Sequence, residues 1–259
     1  MTGRAELRAR MRSAMADGGP GLPAADRLCI ACVQLLDVDG AAISLMHAGT
    51  TQGTYGSSGS LSRRLDEFQF TFGEGPCFDA HAQGQPVLVP DLTQSDEHRW
   101  PAFTAAVVDL GVTAVFALPA TIATHRLGVL DLFRNEPRPL SPHELAGCHI
   151  AADLAARPLL DLVTAVDWDD TASEPDRSPH LGGLERVEVY QATGMVMSQL
   201  GVGPEEALLR IRAHAFAHGL TASDVAWAIV ERRLRLDDDD AEVAGEADDD
   251  RPTDTGSTS

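Results

Sequence analysis

The side chains in this chain best suited to chemistry are arginines. Its 259 residues include 20 basic side chains and no lysine, so every fixed positive charge is a guanidinium. A guanidinium fork matches phosphate and carboxylate geometry in a bidentate way that an ammonium cannot. Two groups stand out near the C-terminal end: Arg210, Arg212 and His214, then Arg232, Arg233 and Arg235. On a common edge these groups would hold phosphates. At helix C-termini they would only complement the negative helix end, worth roughly a few tenths of a kcal/mol each. Charge by itself favours the second reading, because residues 184–236 carry as many Asp and Glu as Arg.

Other chemistry is thinner. Cys29-Ile30-Ala31-Cys32 is a CxxC, but it sits inside a helical apolar pattern (Leu28, Cys32, Leu35, Leu36) with no glycine-rich knuckle and no second CxxC. Two core thiols fit that context better than a zinc or redox pair. His81 and His98 lack partners at ligand spacing, so no metal is expected. No phosphate-cradling glycine loop, nucleophile elbow or HExxH pair occurs. No catalytic residue, enzymatic activity or cofactor is therefore expected.

The arginines fall among three amphipathic helical patterns over 184–236. The first ends at Leu200-Gly201, where glycine adopts the left-handed C-terminal conformation without strain. The second starts at Gly203-Pro204-Glu205-Glu206; proline suits a first helical position and carboxylates suit the positive helix end. Its apolar positions, Ala207, Leu208, Ile211 and Ala215, keep helical spacing, and His218-Gly219 closes it. Thr221-Ala222-Ser223-Asp224 resembles a capping box, and Val225, Ala226, Ile229, Val230 and Leu234 share one face of a third helix that carries Arg232–Arg235 at its end.

The run Ala192-Thr193-Gly194-Met195-Val196-Met197, with Glu206-Ala207-Leu208, Ile211-Arg212-Ala213, Ala215 and Asp224-Val225-Ala226, resembles the ANTAR family of RNA-binding antitermination regulators across 185–235. The resemblance implies that Arg210, Arg212, His214, Arg232, Arg233 and Arg235 are the RNA-contact candidates, Arg212 foremost. It also implies that Ala192, Gly194, Met197, Ala207 and Ala215 serve helix packing. The family commonly has lysine where this chain has Thr193, so that position offers no basic contact.

The larger front part mixes strands and helices. A short Arg-rich helix is expected over 4–16 and another from Ala24 to Leu36, with a strand from Ala41 and a further one near Thr51–Tyr55. Leu61–Glu67 reads as a short helix, followed by the aromatic alternation Phe68-Gln69-Phe70-Thr71-Phe72 and the turn Gly73-Glu74-Gly75-Pro76-Cys77. A helix over 76–83, a strand Val87–Val89, a helix from Trp100-Pro101 to about Leu110, and strands Thr113–Pro119 and Leu127–Phe133 follow, with His125 at the hairpin turn. The last helix starts at Ser141-Pro142-His143-Glu144 and is expected to kink or stop at Pro158. The pieces VDGAAISL, QFTFGEGPC, PVLVPDL, WPAF and RLGVLDLFR resemble the GAF family over about 24–160. That likeness implies a small-molecule-binding or dimerising module, with Phe72, Cys77, Phe78, Trp100 and Phe103 as candidates to line a pocket.

The expected fold is α+β: a GAF-like central antiparallel sheet with flanking helices, then a three-helix ANTAR-like bundle. The expected divisions are an N-terminal helical extension (1–23), the sensor (24–163), an acidic linker (164–183), the RNA-binding bundle (184–236) and an acidic tail (237–259). Net charge is −19, but the tail alone carries ten acidic residues against one arginine. Too polar to bury a core, it is expected to be disordered. It would be a solubilising tail or, on a sharper reading, a competitor for the arginine edge. No run is apolar enough to span a bilayer and the N-terminus is too charged for a signal peptide, so a cytoplasmic protein is expected. Taken together the resemblances imply a GAF- and ANTAR-containing antitermination regulator of actinobacterial type. Such a protein binds stem-loops in nascent leader RNA as a homodimer, with a possible small-molecule ligand on the GAF domain. The alternative is a DNA-binding regulator using the same helices as a helix-turn-helix.

Overall fold

The computed structural model describes residues 3–17, 21–47, 50–94, 98–165 and 186–236. The chain divides into two units, Met1–Val187 and Glu188–Ser259. Apart from its first two residues, the expected acidic linker lies outside the described residues, as does the whole acidic tail.

In chain order the elements are α1 (Arg4–Asp17), α2 (Leu22–Leu36), β1 (Gly40–His47), β2 (Thr50–Ser57), α3 (Ser60–Phe72), α4 (Pro76–Gln83), β3 (Val87–Val89), α5 (Pro101–Asp109), β4 (Ala114–Ile122), β5 (His125–Arg134), α6 (Pro142–Ala165), α7 (Val187–Leu200), α8 (Pro204–Ala217) and α9 (Ala222–Val230). The five strands form one antiparallel sheet in the order β2-β1-β5-β4-β3.

Both sheet faces are covered, and the alternation along the strands says by what. Ile43, Leu45, Phe116, Leu118, Leu130 and Leu132 point to one side, where α1, α2 and α6 supply Leu7, Met11, Leu28, Cys32, Cys148 and Leu159. Val115, Ala117, Val129 and Phe133 point to the other, against Leu65, Phe68, Cys77 and Phe103 of α3, α4 and α5. Adjacent strand residues thus serve opposite layers, as the period of two requires. Strand β5 lies so close to β1 at Gly128 that a Cβ there would fall 2.2 Å from the Ser44 carbonyl oxygen, so only glycine fits.

Four expectations need correction. The aromatic run 68–72 is the second half of α3 rather than an alternating segment. Phe68 and Phe72, one turn apart, stack at 5.5 Å, a contact that helical spacing provides and extended spacing does not. Helix α6 continues through Pro158 to Ala165, because Ala155, Ala156 and Leu159 are held in the core on both sides of the proline. The N-terminal helix is no separate extension: Leu7 and Met11 are fully buried in the core with α2 and α6. Helix α9 stops at Val230, so Arg232–Arg235 lie in the turn beyond it rather than on the helix.

Candidate nucleic-acid interface and sensor cavity

In the second unit each helix turns a narrow stripe inward: Val189, Ala192, Thr193 and Val196 on α7, Ala207, Ile211 and Ala215 on α8, and Ala222, Val225, Ala226 and Ile229 on α9. The ends are set locally. Gly201 and Gly219 take positive φ after α7 and α8, and Pro204 opens α8. Thr221 caps α9 reciprocally, accepting from the Asp224 N–H at 3.1 Å while its own N–H donates to Asp224 at 3.1 Å. Ala192, Ala207 and Ala215 are buried and Met197 is half-buried. Gly194 departs from the packing role assigned to it. It is exposed, and a Cβ built on it would meet nothing within 4 Å. Thr193 faces inward and donates to the Val189 carbonyl at 2.7 Å, so this position spends its side chain on its own helix.

The candidate contact residues separate into two groups. Arg210 pairs with Glu206 at 2.9 Å and Arg233 with Glu231 at 2.6 Å. His214 stacks on His218 at 4.1 Å, and Arg212 is half-buried with its Nε out of solvent. Arg232 and Arg235, by contrast, are exposed and meet no carboxylate among the described residues. Both border an open groove of about 440 Å³, whose other walls include Met195, Gln199, Ile229 and Leu234. Arg232 holds φ at +59°, a left-handed conformation unusual for a side chain of its size. Exposed aromatics went unnoticed in the pattern of apolar positions: Tyr190, Phe216 (60 % exposed) and Trp227 (51 %). The available signal was their phase, since Phe216 follows Ala215 and so falls off the inward stripe of α8.

In the first unit the turn Gly73-Glu74-Gly75 links three helices. Gly73 ends α3 at φ +69°, Gly75 precedes α4 at φ +142°, and Glu74 accepts from the Ala102 and Phe103 N–H groups at 2.7 and 3.0 Å, capping α5. Under that turn lies a cavity of about 10 Å³, room for one water, lined in part by Asp66, Gln69, Phe103, Asp131 and Phe133. Of the five residues expected to line a pocket, Phe103 borders it. Cys77 and Trp100 are buried in the surrounding core, and Phe72 and Phe78 pack half-buried against it. Aromatic packing of α3, α4 and α5 on the sheet has closed most of the space.

The polar floor of this cavity was not foreseen. Asp66 accepts from Ser44 Oγ, from Thr54 Oγ1 at 2.6 Å and from Arg186 Nη2 at 3.0 Å. Arg186 also reaches Glu67 at 3.2 Å and the Thr51 carbonyl at 3.2 Å, with its guanidinium 3.9 Å over the Phe70 ring. By these contacts Arg186 belongs to the first unit. Burial, reinforced by the Asp66 charge, raises the Asp131 carboxyl well above its ordinary range, against hydrogen bonds from Gln69 and Ser44 that pull it down. One Asp131 oxygen is enclosed without a hydrogen-bond partner. All four thiols are buried. Burial raises each of them, Cys148 to about 12, so none is a ready nucleophile.

The GAF domain model matches residues 24–157 and the ANTAR domain model residues 184–230. The chain belongs to the GAF domain family. With its ANTAR domain it is a GAF–ANTAR regulator, and both domains are regulatory rather than catalytic kinds. No curated protein matches it. Among solved structures it is similar to the GAF domain of a phosphoenolpyruvate-protein phosphotransferase from Acinetobacter, at 12 % identity and TM-score 0.50 over 64 % of this chain and 98 % of that one. It is also similar to the corresponding domain from Coxiella burnetii, at 16 % and 0.46 over 63 % and 97 %. A third is the free methionine-R-sulfoxide reductase from Neisseria meningitidis, at 15 % and 0.45 over 63 % and 92 %. The first likeness is one of fold. No helix among the described residues is long and apolar enough to cross a membrane.

Proposed function

We propose that this GAF–ANTAR chain is a signal-responsive, RNA-binding regulator of transcription antitermination. Its C-terminal helices bind stem-loops in nascent leader RNA, and holding those stem-loops keeps a terminator from forming. The observation that carries this reading is the pair Arg232 and Arg235, exposed on one groove with no carboxylate partner among the described residues. Phosphates are the natural ligands of guanidinium groups left open to solvent. The exposed rings of Phe216 and Trp227 supply stacking surfaces of the kind that receive unpaired loop bases, since the deep groove of A-form RNA excludes side chains. An overall charge of −19 would repel nucleic acid as a whole, so binding rests on these local groups.

The GAF domain serves as sensor and dimerisation module, and a small molecule is its candidate signal. Two copies of the chain present two ANTAR units to two hairpins, and tethering raises the effective concentration for the second. Its place of action is the cytoplasm, where nascent transcripts are.

The test is a gel-shift comparison of an RNA hairpin library with randomised loops against duplex DNA, using the intact chain. Selection of hairpins over duplex is the expected result. Preference for duplex would replace this reading with a helix-turn-helix regulator, and indifference to both would end it.

A further inference from the structure

The groove beside Arg232 and Arg235 is also where the described chain ends. Leu236 is buried at 1 % exposure, and its carbonyl accepts from the side-chain amide of Gln199, itself a wall of the groove. The chain is therefore pinned at the groove's edge, and the next four residues in sequence are Asp237, Asp238, Asp239 and Asp240. Four residues reach at most about 14 Å in extended conformation, a span that leaves the two arginines within their range. A tethered group at that range has an effective concentration on the order of millimolar. The 23 residues from 237 onward carry ten acidic side chains and one arginine, opposite in sign to the groove. Arg210 and Arg233 already have their own carboxylates, at 2.9 and 2.6 Å. Arg232 and Arg235 do not among the described residues, so the groove offers uncompensated positive charge beside the position where the acidic run begins in the sequence.

We propose that the Asp237–Asp240 run occupies the groove between α7 and the turn after α9, its carboxylates on Arg232 and Arg235, and that RNA phosphates must displace it. This inference rests on the RNA-binding reading for its consequence but not for its geometry. Exposed ion pairs are individually weak, so the tail sets a threshold rather than a lock. A tight, correctly shaped hairpin displaces it; scattered non-specific RNA does not. Salt loosens it, since the screening length falls to about 3 Å at 1 M.

The test uses the 259-residue chain and a variant carrying Asp237→Asn, Asp238→Asn, Asp239→Asn and Asp240→Asn, which keeps length and removes charge. The first readout needs no RNA. The rate at which phenylglyoxal modifies each arginine is followed by mass spectrometry at low and high salt, with Arg233 as the internal reference. Arg232 and Arg235 are expected to react several-fold faster in the variant, and the wild-type rates to approach the variant's as salt rises. Equal rates in the two proteins at low salt overturn the proposal. In the second readout, hairpin affinity at low salt is expected to rise roughly fivefold in the variant, in line with ordinary coupling between competing ligands. Unchanged affinity for a hairpin that does bind also overturns it. Should neither protein bind any hairpin, the RNA reading fails while the arginine rates still decide where the tail sits.

Discussion

Arg186 Nη2 lies 3.0 Å from Asp66 Oδ2, and the two side chains are 5 % and 0 % exposed. They are 120 positions apart in the chain. A pair so enclosed has lost its hydration, and the hydrogen bonds around it decide whether it is tolerable. Here the guanidinium reaches Glu67, the Thr51 carbonyl and the Phe70 face, and the carboxylate is met by Ser44 and Thr54. The pair fixes Arg186 in the core of the sensor unit.

Removing one partner should therefore be costly. Arg186→Ala leaves the Asp66 charge buried without its counter-ion, and the expected loss is on the order of 3–5 kcal/mol. Replacing both, as Arg186→Met with Asp66→Asn, should recover most of that loss. Urea denaturation of the intact chain, following the sensor transition, measures both; a single variant within 1 kcal/mol (about the range of exposed pairs) of wild type would refute the buried-pair account.

The Asp131 carboxyl should make stability depend on pH. Its folded value is raised by burial and by Asp66. From about pH 4 upward the unfolded chain gives up the proton that the folded chain keeps, so stability falls as pH rises toward the raised value. Asp131→Asn keeps the uncharged shape and lacks this loss. Its stability relative to wild type should grow from pH 4 to neutrality in denaturation series, and a flat difference would show that the group ionises normally.

Gly194 sits in the middle of α7 with open space where a side chain would be. Gly194→Ala should stabilise the C-terminal helices by about 0.5–1 kcal/mol, because alanine loses less backbone freedom on folding. Chemical denaturation followed by helical circular dichroism reads the change, and a destabilised variant would mean that this face is covered after all.

Arg232 invites a comparison of two substitutions. Glycine adopts φ near +59° without strain and alanine does not. Arg232→Gly should be more stable than Arg232→Ala by about 1 kcal/mol although both delete the same guanidinium. If the two melt together, the turn after α9 is not held in this conformation.

Salt dependence should sort the arginines. Arg232→Ala and Arg235→Ala are each expected to weaken hairpin binding and flatten the slope of log affinity against log salt by about one. Arg210→Ala and Arg233→Ala, whose charges are paired with Glu206 and Glu231, should change the slope less. An equal effect at all four positions would count against the groove as the phosphate site.

Much of the ANTAR unit was legible from neighbouring residues. Gly201, Pro204, Gly219 and the Thr221–Asp224 cap act within a few positions, and each marks a helix end. The FGEGP turn was equally visible as a motif. That Glu74 caps α5 was not, because the N–H groups it meets belong to Ala102 and Phe103. Arg186 and Asp131 were overlooked for the same reason, as their partners are remote in sequence. Residue type does not separate the five arginines among the six contact candidates; only their surroundings distinguish Arg232 and Arg235 from Arg210 and Arg233.

Local chemistry in the amino-acid order thus determined the order and type of most elements, the helix ends marked by glycine, proline or a cap, the two-domain plan and the α+β sheet with its helical appendage, since caps, breakers and apolar periods act over a turn or a strand. Where α3, α6 and α9 stop was decided by packing. Tertiary packing decided which charges are spent internally and which remain for a ligand. It buried Asp66 with Arg186, left an Asp131 oxygen unpartnered, closed the sensor cavity to about 10 Å³ and set Arg232 and Arg235 on an open groove. Desolvation and pairing depend on what surrounds a side chain in three dimensions, and that is fixed only when distant segments meet.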